Sequence, residues 1–452
     1  MSARLESCKA SWFSAGVVGC TVSTRSTNAP AGWAGSARAR FAGPSHRRWG
    51  YWTAGFVWLG LLAAGAASQP VDVNEGLDGR VLCGYQGWFA AEGDGAGIGW
   101  RHWKQVNRSD RCEEQVTVDL LPDVSELAEE ERFPLGLTGV DGRSIEVFSS
   151  YREPVVRLHF RWMREYGIDG VFVQRFATAL SNPRRKSFHD TVLGHCRAAA
   201  EEEQRVYAVM YDLSGLAAGR VGDVLEDWRS LRRVGVGADA AALRIKGRPL
   251  VAVWGIGFVK DRAYSLMECR DLVAALKADG CAVLVGVPTG WRTGTRDALP
   301  DPMLQEIAAS AQAVSPWTVG RYSTPEQVSA HATARWAPDL AWCRARGIEY
   351  LPVIFPGFSW KNLKGGPLDQ IPRLRGKFFD QQIVDVTAVG ARSLYVAMFD
   401  ECDEGTAIFK CAEPPRGLAD RFVGLEGLPA DHYLKLAGAA RRRLQAKTPR
   451  PE

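Results

Sequence analysis

The sequence predicts a single (β/α)8 barrel with long βα loops, and three observations predict it. Eight short apolar runs recur along the chain. Most are rich in Val and lack strict polar alternation, as parallel strands covered on both faces do. Longer amphipathic stretches separate them, which is the βαβ pattern. Eight such strands fit closure into a barrel; an open, doubly wound sheet is the alternative that periodicity alone leaves standing.

The eight runs are VLCGY (81–85), GVFVQRF (170–176), YAVMYDL (207–213), PLVAVWG (249–255), AVLVGVP (282–288), AVSPWTVG (313–320), YLPVIFPG (350–357) and SLYVAMFDE (393–401). Helices are expected over 155–166, where Val156, Leu158, Phe160 and Met163 stand among charged residues, and over 266–278, 325–346 and 377–389. A closing helix is expected over 428–444. Two connections are long. The first, 90–150, follows the first strand and carries four closely spaced glycines and an acidic stretch at 126–131. The second, 360–376, follows the seventh strand. Long barrel loops with few secondary-structure signals are usually binding loops or lids.

The chain has 452 residues, enough for one barrel of roughly 250 residues or more with insertions. Its net charge of +5 is small, and much of the basicity sits near Arg38, Arg40, Arg47 and Arg48 and at Arg441, Arg442 and Arg443. Without a basic stripe through the middle, nucleic acid is not an expected partner. The run YWTAGFVWLGLLAAGAA (51–67) follows Arg47 and Arg48 and ends in small residues. That is the layout of a signal peptide over 47–68, and it is slightly short for a membrane span of about 20 residues. Secretion or a periplasmic location follows, with membrane anchoring only if the segment stays uncleaved. Residues 1–46 read as a disordered leader or a wrongly assigned start. The catalytic domain is expected over 75–446, acting as a monomer.

Cys83, Cys112, Cys196, Cys269, Cys281, Cys343, Cys402 and Cys411 remain after the leader. They contain no C-x-x-C pair, so no zinc site is expected. An oxidising compartment would allow pairing, with Cys402–Cys411 and Cys269–Cys281 nearest in sequence. A buried thiol is the equal alternative for Cys83.

In a barrel, the C-terminal strand ends build the active site. Here those ends carry Tyr85, Gln86 and Trp88; Gln174, Arg175 and Phe176; Tyr211 and Asp212; Trp254; Trp291; Trp317 and Arg321; Phe358 and Trp360; then Asp400 and Glu401. Aromatic platforms among Asp, Gln and Arg suit the apolar faces and hydroxyl rims of sugars. The sharpest signal is Phe399-Asp400-Glu401-Cys402-Asp403-Glu404-Gly405-Thr406. Glycoside hydrolysis needs two carboxyls at one bond, one protonated and one ionised. Crowded acids separate their proton affinities in that sense. Read alone, the same run is also a solvated loop or an oxygen-rich cation site. Asp212 could equally contact sugar or cap the next element. His102 could line the site or be a solvated loop residue, and His189 and His195 fall in a helical stretch apart from function.

Several stretches together resemble a known group. Gly84 to Phe89, Gly167 to Phe172, Met210 to Gly215, Phe355 to Trp360 and Phe399 to Thr406 are similar to the family 71/99-like glycoside hydrolases, relatives of the family 99 endo-α-mannosidases. The resemblance covers about 81–410. It implies a cofactor-free retaining glycosidase acting on an α-linked oligosaccharide or polysaccharide, with mannosides the first candidates. It further implies Glu401 as the base toward the sugar 2-hydroxyl and Glu404 as acid/base at the glycosidic oxygen, through a 1,2-anhydro sugar. One departure is visible: the family usually has an aromatic and a histidine between the glutamates, where this chain has Cys402 and Asp403. The alternatives are a carbohydrate-binding barrel without catalysis and a metal-dependent hydrolase using the acidic cluster.

Overall fold

The structure, a computed structural model, describes residues 74–106 and 114–446. The expected leader and signal peptide, and Cys112, lie outside the described residues.

The parallel strands are β1 (Val81–Tyr85), β2 (Gly170–Phe176), β3 (Val206–Asp212), β4 (Arg248–Trp254), β5 (Ala282–Pro288), β6 (Ala313–Trp317), β7 (Glu349–Tyr350 with Val353–Ile354) and β8 (Leu394–Val396). Consecutive strands pair in parallel from β1 to β7. The second part of β7 then pairs with β8, and β8 with β1. The ring therefore closes, and it does so through a strand in two parts. Pro352, which has no N–H to give a ladder, sits at the break. This is why the seventh run, expected as one strand over 350–357, is split.

A helix or helix pair follows each strand. These are α1 (Glu153–Tyr166), α2 (Pro183–Glu202), α3 (Gly222–Arg233), α4 (Leu266–Ala278), α5 (Pro302–Ser310), α6 (Pro325–His331) with α7 (Ala337–Arg344), then a short α8 (Lys361–Lys364) before α9 (Lys377–Ala388), and α10 (His432–Ala446). The start and stop signals are local. Pro154 opens α1, and Gly167 ends it in the left-handed region at φ 78°. Ser265 and Glu268 form a reciprocal capping box on α4. The stretch 325–346, expected as one helix, is interrupted by a π turn at Ala332–Trp336, just before Pro338. Proline cannot supply the next intrahelical bond. At the opposite end of the barrel from the mouth, Asp169 accepts from the Val81 amide at 2.9 Å and from Arg441 at 2.8 Å, which ties α10 under β1.

The long connection after β1 is not irregular. Lys104–Val106 pairs with Glu114–Val116, Phe133–Thr138 pairs with Ser144–Val147, and Leu121–Pro122 pairs with Cys411–Ala412 from beyond β8. These hairpins stand beside the acidic segment: the Asp119 and Leu120 amides both donate to the Cys402 carbonyl. Cys83, Cys196, Cys269, Cys281, Cys343, Cys402 and Cys411 are buried and unpaired, so neither near-sequence pairing forms. They pack as small side chains, with Cys281 also accepting from Trp228 at 3.1 Å and Cys411 donating to the Phe409 carbonyl at 3.5 Å. Among the described residues no helix is long and apolar enough to cross a membrane.

Candidate functional site

Successive strand residues face opposite ways, and this alternation sorts the strand-end candidates into two sets. Gln174 Nε2 donates to the Tyr395 hydroxyl at 3.1 Å and also meets the Met210 sulfur. A Cβ at Gly84 would overlap Tyr395 and Met398. Side chains from β1, β2, β3 and β8 converge this way only inside the barrel. Trp254 and Trp317 meet at 5.2 Å across β5, where Gly286 leaves room because its own Cβ would strike Trp254.

The neighbours of these residues point outward. Tyr85 bonds His159 of α1 at 2.9 Å. Arg175 forks onto Asp227 of α3 at 2.5 and 2.7 Å and reaches Asp190 of α2 at 2.6 Å. Tyr211 donates to the same Asp227 at 2.7 Å. Trp291 turns onto α7 and donates to Asp339 at 3.1 Å. The sequence reading assigned Tyr85, Arg175, Tyr211 and Trp291 to the mouth with their neighbours; the structure puts them in the layer between barrel and helices. Arg321 pairs with Asp297 at 2.7 Å on the outer rim. Asp212 accepts from the Ser214 amide at 2.7 Å, capping the turn after β3.

The acidic segment after β8 is buried and highly organised. Asp400 accepts from the Gln86 and Gly87 amides at 2.7 and 2.9 Å, which pins the end of β1 to the end of β8. Glu401 accepts on both oxygens, from Gln86 Nε2 and from Thr406 Oγ1, each at 2.5 Å. Two donors at one carboxyl suit the acceptor-only character of an ionised carboxylate. Glu404 lies three residues on and is 7% exposed. Its carbonyl accepts from Ser359, between Phe358 and Trp360, whose rings pack at 5.2 Å. Ser359 also donates to Asp119 at 2.5 Å. The loop after β7 is thereby fastened to both the acidic segment and the β1 hairpins.

Two histidines join this site: His102, for which the sequence left a site-lining role open beside a solvated-loop one, and His189, which it set apart from function. His102 stacks on Trp88 at 3.9 Å and 4°, and Trp88 stacks on Phe176 at 5.0 Å. His102 Nδ1 then reaches Asp403 at 2.9 Å. Burial holds the imidazole down at about 3, helped by Arg185 and Arg101. Burial also pushes the Asp403 carboxyl well up, with Asp119 adding to it. Both directions favour a neutral pair in which Asp403 donates to His102, over an ion pair. His189, on α2, packs against Phe176 at 5.6 Å.

Burial likewise raises Asp400 from 3.8 to about 7, against its two amide donors. The folded state therefore keeps this proton to a higher pH than the unfolded chain. The associated stability is full below about 3.8, falls as pH rises, and is gone above about 7. We expect the stability of wild type relative to Asp400→Asn to decline between those two values and level off above, as read by urea titrations at each pH. A flat difference would contradict the assignment. Among the described residues no group of three His, Cys, Asp or Glu side chains is arranged to hold a metal ion.

The GH99 endo-alpha-mannosidase from Bacteroides thetaiotaomicron superposes with a TM-score of 0.58 over 82% of this chain and all of that one, at 15% identity. The chain has the family 99 barrel fold. A second structure of a GH99 endo-alpha-mannosidase, in complex with bis-tris-propane, superposes with a TM-score of 0.57, 14% identity and the same coverage. No protein-family model and no curated protein sequence matches the chain. The family 99 fold agrees with the motifs between 81 and 410 that resemble that group.

Proposed function

We propose that this chain is a glycoside hydrolase cleaving an α-linked glycan, with mannosides the first substrates to try. The observation that carries the reading is Glu401, buried in the segment after β8 with each oxygen held by a donor, three residues before Glu404 in a barrel of the family 99 fold. Glu401 takes the proton of the sugar 2-hydroxyl. That oxygen attacks C1, the glycosidic bond breaks, and Glu404 protonates the leaving oxygen. Glu404 then takes a proton from water, which opens the 1,2-anhydro sugar at C1, and Glu401 returns its proton to O2. The first-formed product keeps its anomeric configuration, and no cofactor enters.

Trp254, Trp317, Phe358 and Trp360 supply stacking faces, and Gln86, Gln174 and Asp212 supply polar groups along the sugar. Trp88, stacked on His102 and Phe176, and Asp400, with both oxygens on backbone amides, support the mouth from beneath instead of meeting the sugar. Arg321 acts from the rim. Tyr85, Arg175, Tyr211 and Trp291 hold the strands from behind. The apolar run at 51–67 supports export of the enzyme to where such glycans occur.

The experiment is proton NMR of wild type with α-linked and β-linked manno-oligosaccharides. Cleavage of the α-linked set with retention supports the reading. Binding without cleavage of any of them would favour a carbohydrate-binding barrel instead, and inversion would remove the anhydro route. Gln86 orients Glu401, so Gln86→Ala should lower kcat by about 10²-fold with KM little changed, since a misplaced catalytic group loses about that much. Steady-state kinetics on the cleaved substrate checks this; an unaltered kcat would free Glu401 from that dependence.

A further inference from the structure

A second concave site lies on the rim, away from the acidic segment. It is a cavity of about 280 Å³ lined by Arg296, Arg321, Arg335, His331, Gln327 and Tyr322, among others. Arg296 belongs to the connection after β5 and Arg321 to the connection after β6, so the site opens on the face that carries the C-terminal strand ends. Its volume is near the lower end of the roughly 300–1,000 Å³ typical of small-molecule sites.

The charge there is unbalanced. Three guanidinium groups line the cavity, and Asp297, which is not part of its lining, pairs with Arg321 at 2.7 Å. Asp297 also accepts from the Thr289 and Gly290 amides, so three donors already share this one carboxylate. Arg335 hydrogen-bonds a neutral partner, the Thr293 hydroxyl at 3.1 Å, and the Asp339 carboxylate whose field it shares is already paired with Arg292 at 2.7 Å. Arg296 has no carboxylate partner among the described residues. Gln327 spends its carbonyl oxygen on Ser323, which leaves its amide N–H groups for a ligand. The cations reach the wall of the cavity: burial lowers His331 to about 3, Arg296 and Arg335 lower it further, and Arg321 does so against the opposing Asp297. Gathering like charges is unfavourable unless an anion offsets them, and guanidinium forks match the oxygens of sulfate, phosphate and carboxylate groups.

We propose that this cavity binds the oxyanion group of an acidic saccharide, a sulfate, phosphate or carboxylate carried on the glycan. The proposal rests on the glycosidase reading above, and it extends that reading from a neutral to an anionic substrate class. Arg296 and Arg335 clamp the oxyanion, Arg321 stays with Asp297 and adds positive field, and Gln327 donates to the saccharide.

The test is titration calorimetry of the intact protein at low ionic strength with glucose 6-sulfate, inorganic sulfate and glucose. Glucose 6-sulfate should bind more tightly than inorganic sulfate, and glucose should show no binding at this site. Arg296→Gln and Arg335→Gln should each weaken glucose 6-sulfate by about tenfold, and Arg296→Lys by less, since a point charge replaces part of the fork. Added salt should weaken binding in wild type. Equal affinity for inorganic sulfate and glucose 6-sulfate would overturn the saccharide assignment. Absence of binding, or binding indifferent to both substitutions, would overturn the site. Calorimetry requires no turnover, so a catalytically silent protein that still binds glucose 6-sulfate in this way would separate failure of the glycosidase reading from failure of this one.

Discussion

Glu404→Gln is expected to lower kcat on an unactivated α-linked oligosaccharide by about 10²–10⁴-fold, the usual worth of a positioned general acid. The amide keeps the shape of the side chain but has no proton to give the leaving oxygen. Glu404 is 7% exposed, so the isosteric change leaves the packing intact and sugar binding should persist. The loss should depend on the leaving group. A dinitrophenyl glycoside needs little protonation, so the variant should lose much less on it than on the oligosaccharide. Kinetics on the two substrates, side by side, separates an acid from a residue that merely shapes the pocket. Equal losses on both would take the acid role away from Glu404.

The largest stability effect is expected at Asp227. It receives Arg175 from β2, Tyr211 from β3 and Lys186 from α2, while itself sitting on α3. Arg175 is 2% exposed, so its charge is matched only inside this layer. Asp227→Ala would strand that guanidinium with Asp190 alone, and breaking one side of a buried ion pair costs about 3–5 kcal/mol. The remaining Asp190 contact at 2.6 Å puts the expectation at the lower end, about 3 kcal/mol. Replacing both partners by apolar residues, Arg175→Met with Asp227→Leu, should recover much of the loss, because no buried charge is then left unmatched. Urea unfolding of the three proteins at neutral pH decides this. A loss below about 1 kcal/mol for Asp227→Ala would mean that water reaches Arg175 and that the pair is in effect a surface one.

The barrel was readable because its strands announce themselves. Runs such as AVLVGVP at β5 are buried throughout, so no polar residue interrupts them; run and strand coincide at β1, β2 and β5, whereas the eighth run, expected over 393–401, is a strand only over Leu394–Val396. The hairpins after β1 left no such trace. Glu114–Val116 and Leu121–Pro122 are two or three residues long and exist through partners, one of which comes from beyond β8. The site was legible as a segment and not as a geometry. Asp400 to Thr406 is continuous in sequence, whereas His102 reaches Asp403 across 301 residues, and no local pattern records such a contact. The assignment of Tyr85, Arg175 and Tyr211 to the mouth has a simple physical cause. A strand end contributes only every second residue to the barrel interior, and reading whole tripeptides doubles the set. Arg175 carries its own signal in retrospect: a charged residue flanked by Gln174 and Phe176 in a buried strand needs a carboxylate behind it, and α3 supplies Asp227.

The central claim is that Glu401 and Glu404 act on one glycosidic bond. Its most direct test is a crystal structure of Glu404→Gln with an uncleaved α-linked oligosaccharide spanning the mouth. The account predicts the glycosidic oxygen within hydrogen-bond reach of the residue-404 side chain, about 2.6–3.2 Å, and the sugar 2-hydroxyl within the same reach of Glu401. A saccharide seated in the mouth with its scissile oxygen and 2-hydroxyl turned away from both positions would contradict it.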